Sequence, residues 1–284
     1  MHTHPMEVPF IGSEALAAGR LTRHQLRTRF VAVHQDVYVP VETDLTPALK
    51  ARACWLRSRR RGVLVGFSAA AVHGAKWISS RRPAEIADDN RRRTPNVIAR
   101  AVQFDTGEVC ERNGVRLTTP VRTAMDLLSW YPPDTAIPAV DALARATRLK
   151  VSDIEVLAEF HRGRRGIRQA RAALEMVDPG AESPRETWLR LLIIRAGLPR
   201  PQSQIAVRNE YGVVIAEVDM GWEELKIAVE YEGDHHRTDR RVFNRDIHRM
   251  DALIELGWIV IRVTVEDTPA GIIQRIRVAL VRRQ

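Results

Sequence analysis

VVIAEVDMGWEELKIAVEYEGDHHRT, residues 213–238, decides how the C-terminal part of this chain is read. VVIAEVDM and KIAVEYEG have the β-branched, apolar character of strands, and WEEL between them turns the chain. Side chains two apart on a strand share a face, about 6–7 Å apart. Glu230 and Glu232 therefore point one way, and Val229 and Tyr231 the other. Asp219 lies on the preceding antiparallel strand as a cross-strand neighbour of Glu230, and Glu217 can share its face. Carboxylates that face one another without lysine partners raise each other's pKa. A hard divalent cation relieves that cost, and carboxylate oxygens are the ligands that Mg²⁺ or Mn²⁺ prefers. Solvated acids at a sheet edge are the competing reading. It suits Glu223 and Glu224 in the turn, but not Glu230 and Glu232 in an otherwise apolar strand. The expectation is a metal site formed by two or three of these carboxylates.

The flanks give this pair a frame. MVDPGAESPRE, residues 176–186, interrupts two helical patterns with Pro, Gly and small polar residues, which places a boundary near 178–181. Ser183 then caps a helix with Pro184 at its first position and Glu186 at its third, the capping-box arrangement. Its expected apolar face is Trp188, Leu189, Leu192 and Ile193, and Gly197 ends it. QIAVR is a first strand and NEYG its turn. After the acidic strand, residues 240–255 carry Phe243, Ile247, Met250, Leu253 and Ile254 at helical spacing, and Gly257 stops them. WIVIRVTV is a fourth strand and GIIQRIRVAL a last helix.

A helix bearing Glu, three strands with Asp on the second and an acidic pair on the third, then helix and strand, resembles the PD-(D/E)XK nuclease core. More closely, ESPRE, EVDM, AVEYEGDHH and the GWIVIR ending resemble Vsr-like endonuclease domains, over about residues 181–270. The resemblance implies metal binding by Asp219 and Glu230, and catalytic roles for Glu186 on the first helix and for His236 after the third strand. Glu232 falls where the general pattern has Lys, so the usual cation is missing. Lys226 shares the face of Glu230 but lies about 13 Å away along the strand. His236 would then supply acid–base or charge-stabilising chemistry, and Arg237, Arg240 or Arg245 would hold phosphate. Glu232 itself is counted among the catalytic candidates.

The N-terminal half reads differently. SEALAAGR is a short helix that Ser13 can cap and Gly19 ends. TRHQLRTRF follows as a second helix with Leu26 and Phe30 on one face. VAVHQ and VYVPV then form a tight hairpin. Helix, turn, helix and hairpin is the layout of a winged-helix domain over residues 1–50. In the functional reading Arg23, His24, Gln25 and Arg27 face DNA; in the bland one they are a solvated helix face. With FSAAAVHGA (67–75) and GVRLTTPVRTAMDLL (114–128), this order resembles the AbiEi-type antitoxins and regulators of bacteria, over roughly residues 8–150. That resemblance implies DNA or a protein partner rather than chemistry, with a mixed α/β region over 51–178. His73 reads as a packed histidine.

Charge agrees with this division. The net charge is +9, and it lies wholly in residues 1–180, which hold 28 basic and 19 acidic residues; from 181 onward the count is 16 of each. A basic N-terminal part suits a polyanion. Because 40 of the 44 basic residues are Arg, genome composition competes as the explanation. No apolar run approaches the roughly 20 residues of a membrane span, and no secretory leader is visible, so the expected location is the cytoplasm. Cys54 and Cys110 suggest neither a disulfide framework nor a zinc cluster. The expectation is thus an α+β, two-domain chain. A winged helix and mixed α/β region precede an α-βββ-α-β restriction-endonuclease-like core over 181–284. Its expected activity is Mg²⁺- or Mn²⁺-dependent cleavage of DNA. The alternative is a non-catalytic, antitoxin-like transcriptional regulator on a nuclease-like scaffold. A partner protein or a second copy of the chain is left open.

Overall fold

Residues 8–41 build a small sheet around an aromatic cluster. In the computed structural model, residues 8–90, 92–232 and 240–283 are described, with the side chains of 240–247 outside that description. Strand β1 (Phe10–Ile11) leads into helix α1 (Gly12–Ala17), and helix α2 (Arg23–Arg29) leads into β2 (Phe30–His34) and β3 (Val37–Pro40). The sheet order is β1-β3-β2, antiparallel throughout. Leu26 of α2 is buried with Phe10 and Ala15, and Phe10 meets Phe30 edge-to-face at 5.0 Å between ring centres. One face of α2 thus anchors it.

The cap expected at Ser13 is made instead by Asp36. Helix α1 begins at Gly12, so the Ser13 N–H is one of its free first-turn donors. It donates to Asp36 Oδ1 at 2.8 Å, and the Ser13 hydroxyl donates to Asp36 Oδ2 at 2.5 Å. The hairpin turn therefore reaches back to close the helix.

Helix α3 (Pro47–Arg57) follows, capped by Thr46. Then come β4 (Val63–Leu64), α4 (Gly66–His73), β5 (Ala84–Ala87), β6 (Val97–Arg100), β7 (Val109–Arg112) and β8 (Val115–Thr118). These five strands form one mixed sheet, ordered β6-β5-β4-β8-β7. Helices α5 (Pro120–Trp130), α6 (Pro133–Thr147), α7 (Val151–Phe160) and α8 (Ile167–Leu174) complete the unit. Helix α5 buries every residue from Arg122 to Leu128, two charged ones among them. His73 is buried, with Nε2 2.8 Å from the Thr118 carbonyl oxygen; burial holds its pKa below the usual histidine value.

The chain divides into two compact units, residues 1–177 and 178–284. The second holds α9 (Pro184–Arg195), β9 (Gln202–Arg208), β10 (Val214–Trp222), β11 (Ile227–Tyr231), α10 (Arg240–Glu255), β12 (Ile259–Val263) and α11 (Pro269–Arg283). The sheet order is β12-β11-β10-β9. Strands β9, β10 and β11 run antiparallel; β11 and β12 run parallel and are joined through α10, as a parallel pair requires. Ile227 and Val229 pack with Leu189 and Ile193 of α9 and Ile272 and Ile276 of α11. Ala228, between them, packs with Val218 and with Leu253 of α10. The period of two thus sends alternate side chains to two apolar layers.

Helix α9 departs from its expected pattern. Trp188 is exposed, while Leu191 is buried and Arg190 has no exposed surface. With both the sheet and α11 packed against it, this helix buries more than one stripe. Across the described residues the organisation is α+β, with three sheets and eleven helices, none long and apolar enough to cross a membrane.

Candidate metal centre and carboxylate networks

The register of β10 and β11 positions the two acids first singled out. Met220 lies opposite Val229, Gly221 opposite Ala228 and Trp222 opposite Ile227. One step further, the same register sets Asp219 beside Glu230. There the ladder changes partner: the Tyr231 N–H donates to Asp219 Oδ2 at 2.8 Å. Gly221 permits the close pairing, since a Cβ there would lie 2.0 Å from the Ile227 carbonyl oxygen.

Glu186 joins them from the start of α9. The Ser183 hydroxyl accepts the Glu186 N–H at 3.2 Å and donates to Glu186 Oε1 at 2.8 Å. Glu186 Oε2 accepts the Glu182 N–H at 2.8 Å and Gln204 Nε2 at 3.2 Å. The cap that starts the helix therefore also holds its carboxylate, which is buried. Burial pushes the Asp219 carboxyl up to about 7, and the charges of Glu186 and Glu230 add to the rise; the Tyr231 N–H and Arg249 oppose it.

Glu230 is 5% exposed and carries a partner that sequence reasoning missed. Arg249, on α10, grips it with both arms: Nη1 to Oε1 at 2.6 Å and Nη2 to Oε2 at 3.1 Å. Nη1 also points at the Glu217 carbonyl oxygen, at 3.5 Å. Glu232 lies just past β11 and is ion-paired with Arg262 of β12; its N–H donates to the Val263 carbonyl at 2.7 Å. Glu186, Asp219 and Glu230 thus come together, while Glu232 engages the neighbouring strand. Lys226 is spent elsewhere, its Nζ donating to the Leu256 carbonyl at 3.0 Å. His236 lies outside the described residues, as do Asp234, His235, Arg237 and the side chains of Arg240, Arg245 and Asp246.

On α2, Arg23, His24 and Arg27 are exposed. Gln25 is half-buried and serves the helix start. Its amide oxygen accepts the Thr22 N–H at 2.8 Å, and its own N–H donates to the Thr22 hydroxyl at 3.2 Å, a reciprocal capping box.

The first unit holds a second carboxylate network. Buried Arg122 on α5 donates Nε to Asp126 Oδ1 at 2.8 Å and ion-pairs with Glu108. His161, after α7, lies with Nε2 2.5 Å from Glu108 Oε1. Arg164 adds its charge near Asp105, at 3.4 Å. Burial works to raise the Glu108 pKa, but the Asp105 N–H, His161 and the two arginines outweigh it and hold the group below the usual carboxylate value. Burial takes Asp126 the other way, up to about 6, against Arg122. Asp105, Glu108 and His161 each place one ligand atom within 4.8 Å of the others, a set able to hold a metal ion. Glu108 and His161 are 53 residues apart, so no spacing announced the pair. The Arg122–Asp126 step of four was the one local signal.

The chain is 30% identical over 252 residues to the uncharacterized protein MT2308 of Mycobacterium tuberculosis strain CDC 1551 / Oshkosh, and equally so to the uncharacterized protein Rv2248 of strain H37Rv. The alignment covers 87% of this chain and 92% of each relative. No protein-family model matches the chain, and no solved structure matches it significantly.

Proposed function

The chain belongs to the family of these M. tuberculosis proteins, and we propose that it is a metal-dependent DNA endonuclease whose C-terminal unit has a Vsr-like, PD-(D/E)XK core. One observation carries this reading. Asp219 is placed beside Glu186 and Glu230, where burial and like charge raise its pKa to about 7. Arg249 meets the charge of Glu230, and a divalent cation would relieve the repulsion that is left at Asp219. The donors are carboxylate oxygens, which fit a hard divalent ion.

Asp219 and Glu230 would hold Mg²⁺ or Mn²⁺, with Glu186 alongside. When bound, such an ion supplies Lewis acidity toward a phosphodiester and eases ionisation of water. The chain's own residues do the rest. Asp219 must lose its proton to become a ligand. The Ser183 hydroxyl and Gln204 fix Glu186, and the Tyr231 N–H fixes Asp219. The neutral C-terminal unit gives little general affinity for a polyanion. We assign that task to the basic N-terminal half, with residues 8–41 as a winged helix that presents Arg23, His24 and Arg27 to phosphates.

The test is nicking of supercoiled plasmid with Mg²⁺ or Mn²⁺ by the wild type and by Asp219→Asn. Metal-dependent nicking that EDTA and the substitution both abolish is expected. An inert wild type across metals, or equal activity in the variant, sinks the reading. DNA binding that persists in EDTA without any cleavage supports the regulator reading instead, which the Arg249 grip on Glu230 favours.

A further inference from the structure

The general nuclease pattern has a cation two residues after the second acid, and Glu232 stands there. Among the described residues, Lys226 is tied to the Leu256 carbonyl, Arg262 to Glu232, and Arg190 has no exposed surface. Arg185 is exposed and lies over the Tyr231 ring, 5.7 Å from its centre. Arg249 is the guanidinium hydrogen-bonded to a candidate ligand.

Its position follows from the fold. Strand β11, helix α10 and strand β12 form a parallel crossover, so the helix runs opposite to the strands. Leu253 is fully buried with Ala228. One turn back along α10, about 6 Å, lies Arg249; two residues on along β11, about 6–7 Å, lies Glu230. The two steps match. Docking of Leu253 on Ala228 therefore delivers Arg249 to Glu230, with part of its side chain still exposed.

We propose that Arg249 is the phosphate-binding cation of this site and that, without a metal, it closes the site by holding both oxygens of Glu230. The inference rests on the nuclease reading above. A planar guanidinium fork fits two carboxylate oxygens and two phosphate oxygens equally well. Arg249 and a divalent ion compete for the same Glu230 atoms. With Glu230 engaged by an ion, the Arg249 fork would be free to take a phosphate oxygen pair in its place. The guanidinium then meets the charge that develops on phosphate.

The experiment measures two quantities on the full-length protein: Mn²⁺ binding by calorimetry, and Mn²⁺-dependent plasmid nicking. For Arg249→Ala the two are expected to move in opposite directions. Removing a positive charge from contact with a ligand tightens Mn²⁺ binding by about 3–10-fold, while loss of the phosphate contact slows nicking by about 100-fold or more. Arg249→Lys keeps the charge and loses the fork; its Mn²⁺ affinity stays near wild type and its nicking falls to an intermediate level. Arg185→Ala changes neither by more than about twofold. A structural role alone would lower both quantities together. If the wild type nicks and Asp219→Asn does not, the nuclease reading stands. In that case wild-type nicking by Arg249→Ala, or unchanged or weaker Mn²⁺ binding by a folded Arg249→Ala, overturns this inference. Should Arg249→Ala fail to fold, full nicking by Arg249→Lys overturns it. A wild type that neither binds Mn²⁺ nor nicks removes the nuclease reading and this inference with it.

Discussion

The two units each bury a set of carboxylates, and they differ in how many cations each set is given. In the first, Glu108 is surrounded by Arg122, His161 and Arg164 and held below its ordinary pKa; Asp126 shares Arg122 with it. In the second, Arg249 pairs with Glu230, while Asp219 has a backbone N–H as its hydrogen-bond partner among the described residues and two further acids beside it. The same residue types make a closed network in one place and an open one in the other. A closed network holds helices in register. An open one keeps a demand for positive charge that a ligand can meet. The contrast is instructive because the first set, through Asp105, Glu108 and His161, is the one among the described residues whose ligand atoms satisfy the distances of a three-ligand metal site. Distance alone would choose the first set; the arginines packed around it are what argue for the second.

The largest effect should come from breaking the closed network. Arg122→Ala leaves Asp126 buried without its hydrogen-bonded cation and Glu108 with only His161 and Arg164, and should lower unfolding free energy by about 3–5 kcal/mol in urea titration. Arg249→Ala, at a partly exposed position, should cost less than half as much. Equal losses would erase the distinction between the two networks.

Metal addition sharpens it next. Mn²⁺ at a hundredfold excess over its Kd should stabilise the wild type by about 2.7 kcal/mol in thermal melts. Asp219→Asn should abolish that gain, and Glu108→Gln should leave it intact. The reverse pattern would move the metal centre to the first unit.

Acidity should then switch the gain off. Asp219 titrates at about 7 in the folded protein against an ordinary 3.8, so the proton stabilises the fold at low pH. That contribution is complete below 3.8 and lost as pH rises through about 7. Metal competes with the same proton, so Mn²⁺ stabilisation should be present at pH 8 and fade as pH falls through about 7. Without metal, Asp219→Asn should gain most over the wild type at pH 8 and little at pH 5. A gain that does not change with pH would show that Asp219 titrates normally.

The smallest effect concerns the basic half. Arg23→Gln with Arg27→Gln should reduce the slope of log K against log salt for duplex DNA by about 2, with little change in stability. An unchanged slope would make α2 a solvated face.

Much of the second unit could be read from local chemistry. Ser183 and Pro184 start α9 because a cap and its N1 proline act within a few residues. Asp219 and Glu230 meet because one short turn fixes the register of two adjacent strands. Alternation along KIAVEYEG separated Glu230 from Val229 for the same reason. What failed was anything needing a partner from far along the chain. Ser13 looked like a cap until Asp36, 23 residues away, took the role. Trp188 looked buried because an amphipathic pattern does not tell which of its flanks meets a sheet.

The sequence by itself determined the order of elements in the second unit, the cap of α9, and the placing of Asp219 and Glu230 on neighbouring strands, since each depends on residues close by in the chain. Only the tertiary structure decided what surrounds those acids. Arg249 reaches Glu230 across 19 residues because a crossover helix docks through Leu253, and Glu232 turns to Arg262 because β12 lies parallel beside it. His161 reaches Glu108 across 53. Electrostatics sums over everything packed nearby, so whether a carboxylate is satisfied or waiting for a cation is settled by packing rather than by spacing.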